Sequence, residues 1–64
     1  MFAWSYFDGS GEEIGRSQRF ADPYAAEDWM SACWSDLWEN GIEEVVLYDR
    51  ANDRRVYGMG LGAE

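Results

Sequence analysis

Several short segments carry side chains that do chemistry in other settings, and each fails a requirement of spacing or partner. Glu43-Glu44 supplies two adjacent carboxylates, the raw material of an acid/base pair. On a strand, neighbouring side chains point to opposite faces, so the two do not converge on one substrate and read as solvated charge. Cys33 is the sole cysteine and the chain has no His, so neither a Cys-His pair nor a CxxC arrangement is available. Asp36 would disfavour rather than promote a thiolate if the two approached closely, and Cys33 reads as a buried helix residue. Asp8-Gly9-Ser10-Gly11-Glu12 sets oxygens at alternate positions but lacks the central Gly register and the distant bidentate Glu of an EF-hand loop. Asp49, Asn52 and Asp53 form a similar cluster, of the kind that caps turns through short side-chain-to-backbone hydrogen bonds. Without His and with one Cys, the usual nitrogen and sulfur ligands of zinc are missing. Gly58-Met59-Gly60-Leu61-Gly62 spells GxGxG without the strand-to-helix transition that a phosphate loop needs. The expectation is a non-enzyme with no cofactor and no metal.

The aromatic residues point elsewhere. Trp34 and Trp38 stand i,i+4 on the helix described below, rotated about 80–120° from the centre of its apolar stripe, so both need not fit over one small sheet. Trp4 and Tyr6 add an aromatic face on the first strand. These four are the candidate protein-contact residues, since aromatic anchors ringed by charge suit interfaces. A chain of 64 residues has a marginal core, and covering both aromatic faces calls for a second copy, so a homodimer is expected. The leading expectation is a small protein-interaction or regulatory module.

Charge supplies the alternative. Thirteen Asp and Glu against five Arg leave a formal charge of -8, which repels phosphate backbones and anionic headgroups, so direct nucleic-acid or membrane binding is not expected. Asp22, Glu27, Asp28, Asp36, Glu39, Glu43 and Glu44 motivate the second reading, an acidic nucleic-acid mimic or inhibitor occupying a basic groove in another protein. Arg50, Arg54 and Arg55 are expected to neutralise neighbours such as Asp49 and Asp53. The lone Cys suits a reducing compartment, Met1-Phe-Ala lacks a basic leader region, and no apolar run approaches about 18 residues, so a soluble cytoplasmic protein is expected.

The elements that must position these residues are legible from period and punctuation. Phe2, Trp4 and Tyr6 alternate with Ala3, Ser5 and Phe7, a strand pattern, and the turn over Asp8–Gly11 returns Glu12 to Ser17 as an antiparallel partner. Gly15 permits close approach of a bulky neighbour, while Arg16, Gln18 and Arg19 mark an edge strand with a wet face. Asp22-Pro23 starts a helix over 23–39, with Ala26, Trp29, Met30, Cys33 and Leu37 as its apolar stripe and Gly41 in the left-handed stop. Glu27 and Asp28 add negative charge early. Val45 to Tyr48 and Arg54 to Tyr57 form a second hairpin. The fold class is α+β, a single antiparallel four-stranded sheet in ββαββ order with the helix packed on one face; strand order 2-1-3-4 is one of several that two hairpins allow. Residues 1–64 make one compact domain, with 60–64 expected to fray. The overall shape resembles small uncharacterised actinobacterial acidic proteins, a resemblance that implies no catalytic residues.

Overall fold

The computed structural model describes residues 1–61. Strand β1 (Phe2–Phe7), strand β2 (Glu13–Phe20), helix α1 (Pro23–Glu39), strand β3 (Glu44–Asp49) and strand β4 (Arg54–Gly60) follow in that order. All neighbours pair antiparallel in one sheet ordered β2-β1-β3-β4. The two hairpins therefore meet along β1 and β3, and β2 and β4 are left as edges.

Period two on β1 decides which face becomes the core. Trp4 lies opposite Leu47, and Tyr6 opposite Val45. These side chains point toward α1 and join Ala26, Met30, Ile42 and Leu61 in the main cluster. The indole Nε1–H of Trp4 donates to the Ala26 carbonyl oxygen at 2.9 Å, and its ring tilts against Tyr57 with centroids 5.9 Å apart. Gly15 has the role expected of it: a Cβ there would stand 3.1 Å from Tyr6 Cδ2, so its absence lets the tyrosine ring lie across β2.

Strand β2 runs past Ser17, the end expected from the sequence, to Phe20. A bulge makes this extension possible. The Trp4 backbone N–H donates to Ser17 Oγ at 2.9 Å, and that hydroxyl donates to the Gln18 carbonyl at 2.7 Å. The side chain thus satisfies a backbone group the irregular register would have orphaned. Phe20 can then pair with Phe2 and meet the Trp29 ring at 5.6 Å.

The helix begins and ends as its punctuation dictates. Asp22 Oδ1 accepts from the Ala25 N–H at 2.8 Å, with Pro23 in the first turn. Glu27 and Asp28 fall beyond the first turn, which holds no acidic residue, so Asp22 alone supplies negative charge at the helix start. At the other end Gly41 adopts φ 91°. Its N–H donates to the Trp38 carbonyl, and the Ile42 N–H reaches back to Leu37 at 3.1 Å, which delivers Ile42 into the core. Strand β4 extends to Gly60 and Leu61 is buried, its N–H donating to the Glu43 carbonyl at 2.9 Å. Residues 62–64, the rest of the segment expected to fray, lie outside the described residues.

Capping and packing yield separable stability effects. Asp22→Ala removes one first-turn acceptor and should cost about 1 kcal/mol. Met30 is wholly buried whereas Leu37 is half-buried at the sheet margin. Met30→Ala should therefore cost about 2–4 kcal/mol and Leu37→Ala less than that. Urea denaturation of the three variants checks the order, and a Leu37→Ala penalty exceeding that of Met30→Ala would contradict the helix phase.

Candidate functional site

Helix α1 lies over β1 and β2 rather than over the sheet centre. One flank carries Trp29 toward Phe20 of β2, and the other turns Trp34 toward Met59 of β4. Between that second flank and β4 opens a cleft of about 240 Å³ lined by Met30, Ser31, Trp34, Met59, Gly60 and Leu61. Trp34 is 46% exposed and Trp38, one helical turn on, 43%. Val56, Tyr57 and Met59 of β4 are also exposed. The Tyr57 hydroxyl is pushed above the ordinary tyrosine range, first by burial and then by the Glu27 carboxylate beside it.

The four candidate contact residues do not form one surface. Trp34 lines the cleft, and Trp38, one turn further along the helix, is exposed without lining it. Trp4 is 0% exposed and spends its indole N–H inside the protein, so it offers nothing to a partner. Tyr6 is half-buried against the core, its hydroxyl raised by burial first and by proximity to Cys33 second. The sequence cannot separate Trp4 from Trp34, because exposure of an aromatic depends on where the helix crosses the sheet.

The segments tested for chemistry resolve into turns and surface. Asp8 Oδ1 accepts from the Ser10 and Glu12 N–H groups and from the Ser10 hydroxyl, at 2.7–3.0 Å. Asp49 takes the Ala51 and Asn52 N–H groups on Oδ1 and the Asn52 amide on Oδ2. Both carboxyls are held below the usual carboxylate range, chiefly by Ser10 and by Asn52 respectively. Glu43 sits with its carboxylate against Gly9, whereas Glu44 faces the side of the sheet away from the helix. Cys33 is half-buried. Among the described residues no group of three or more Cys, Asp or Glu side chains could hold a metal ion, and no helix is long and apolar enough to cross a membrane.

The arginines overturn one expectation from the sequence. Arg50, Arg54 and Arg55 were expected to neutralise Asp49 and Asp53, yet the one ion pair among the described residues is Arg16 Nε to Glu13 Oε2 at 2.8 Å. Asp49 is committed to its turn. Arg50 instead folds back over the Tyr48 ring, 4.9 Å from its centroid, and donates from Nη2 to Ser5 Oγ at 3.1 Å. The physical reason is the buried Ser5 hydroxyl, 1% exposed and reachable by a long donor from the neighbouring turn.

These carboxylates set the response to acid. Asp8, Asp49 and Glu13 all have folded values depressed below their unfolded ones, Glu13 chiefly by Arg16. The unfolded chain therefore binds protons first as pH falls, and the stability these groups confer is lost below about pH 4. At about 0.15 M salt, where long-range repulsion is screened, the denaturation midpoint should drop between about pH 6 and about pH 3. Asp49→Asn should flatten that drop. A midpoint that rises on acidification would show that relief of the net negative charge outweighs the turn hydrogen bonds.

No protein-family model, no curated protein and no solved structure matches this chain.

Proposed function

We propose that this chain is a non-enzymatic protein-interaction module whose contact surface is the β4 edge with its adjoining cleft, and whose occupant is a second copy of the chain. The observation that carries the reading is the off-centre seat of α1, which leaves Trp34 exposed against Met59 at the unpaired edge of β4, with Val56 and Tyr57 exposed on the same strand. Such an edge offers backbone groups for antiparallel pairing, and the flanking aromatics supply apolar area to bury.

A two-fold pairing of β4 with its copy places the same residues on both sides of the contact. The net charge of -8 opposes the encounter at long range, and added salt screens that repulsion more than the apolar contact.

The outer side of α1 supports a second reading, the acidic mimic. Asp28, Asp36 and Glu39 are exposed there, and the helix carries no Lys or Arg. A basic protein groove is the matching partner, and salt would weaken that contact where it strengthens self-association.

Sedimentation equilibrium over a concentration series, at low salt and at about 0.15 M, tests the main reading. A dimer is expected, tighter at the higher salt. Trp34→Ala should weaken it by roughly 1–3 kcal/mol. Monomer at every concentration in both salts overturns the proposal.

A further inference from the structure

The side of the sheet away from α1 has no helix to cover it, yet Ala3, Ser5 and Val46 on it are buried. The cover is made of long side chains. Strand register puts Arg16 and Arg19 of β2, Tyr48 of β3 and Arg55 of β4 on this side, with Phe7 and Glu13. Arg50 joins them from the β3–β4 turn by its contacts with Tyr48 and Ser5. A Cβ at Gly58 would stand 2.9 Å from Arg55 Nη2 and 3.1 Å from Val46 Cγ2, so the Arg55 guanidinium reaches the surface beside Val46. Arg50 and Arg55 thus help to cover this side, while Arg16, Arg19 and Arg55 stay exposed.

Charge is consequently segregated. Four of the five arginines occupy this face, with Glu13 and Glu44 as the carboxylates that register places beside them, out of thirteen acidic residues in the chain. Only Arg16 has an acidic partner within ion-pair distance among the described residues. Among the described residues Arg19 and Arg55 have none and Arg50 acts on Glu13 only from beyond that distance, in a chain with more than twice as many carboxylates as arginines.

We propose that this face is a docking surface for a short acidic protein segment, whose carboxylates engage Arg19, Arg50 and Arg55. Guanidinium forks laid on an apolar surface are weakly hydrated and preorganised for bidentate carboxylate recognition. The face spans three strand intervals from β2 to β4, about 14 Å, enough for a few residues of extended chain. A nucleic acid fits less well. Its phosphates would run beyond this face into the field of the remaining carboxylates. The Tyr48 ring that would stack a base is already taken by Arg50. The surface is distinct from the β4 cleft, and the inference does not depend on self-association.

Fluorescence anisotropy with a labelled peptide of alternating Glu and Ser, beside a single-stranded oligonucleotide of equal charge, is the test. The peptide is expected to bind more tightly than the oligonucleotide. The exposed pair Arg19→Ala with Arg55→Ala should weaken peptide binding at least about tenfold, and Trp34→Ala should leave it unchanged. The matching double Lys variant keeps charge and stem, and guards against misfolding: it should bind with intermediate affinity. Absence of peptide binding at low salt, tighter binding of the oligonucleotide, or a folded double Ala variant with undiminished affinity would each overturn the proposal.

Discussion

The indole of Trp4 ties helix to sheet, and the remaining architecture depends on that tie. It sits on β1, the strand flanked by both hairpins, and it is fully enclosed. A buried indole N–H without an acceptor would carry a desolvation cost of about 1–3 kcal/mol, and the Ala26 carbonyl removes it. Ala26 must be small for the helix to approach so closely, and it has no exposed surface. With the ring held beneath the second turn of α1, the helix axis is committed to the β1–β2 side. Phe20 and Trp29 close that side, and Tyr57 closes the other against the Trp4 ring.

The asymmetry that follows organises the surface. A single helix cannot cover four strands, and once it is anchored over two of them the flank facing β4 has no internal partner for Trp34 and Trp38. The uncovered rear of the sheet meets the same shortage of cover differently. There Arg50 reaches Ser5 and Arg55 comes up beside Val46, since a guanidinium stem can shield methyl and methylene groups while its head stays in water. One acidic chain therefore presents an aromatic edge, an acidic helix and an arginine-lined sheet face. These are three surfaces of different chemistry on a body 28 × 23 × 19 Å across.

Much of this order was legible in the residues themselves. The helix bounds follow from Asp22-Pro23 and from Gly41, because capping is decided within a few residues of chain. The four strands follow from alternation and turn chemistry, whereas two hairpins allow several strand orders and the order β2-β1-β3-β4 was settled by the tertiary structure. Gly15 signalled a close approach, and the Tyr6 ring fills it. The turn role of Asp49 was equally local, since Ala51 and Asn52 lie within its reach.

Contacts between residues far apart in the chain were decided only in three dimensions. That Trp4 is sealed while Trp34 and Trp38 are exposed turns on the crossing of α1 over β1, a hydrogen bond spanning 22 residues. The extension of β2 to Phe20 rests on a serine hydroxyl answering a backbone group 13 positions away. Arg50 neglects the carboxylates nearest in sequence for Ser5, 45 residues distant, because a buried hydroxyl rewards a partner more than an exposed, already solvated carboxylate does. Sequence by itself determined the elements, whose forces act within a turn or along a strand. Tertiary structure decided which aromatic and charged side chains remain available to a partner, since burial is a property of neighbours brought together by the fold.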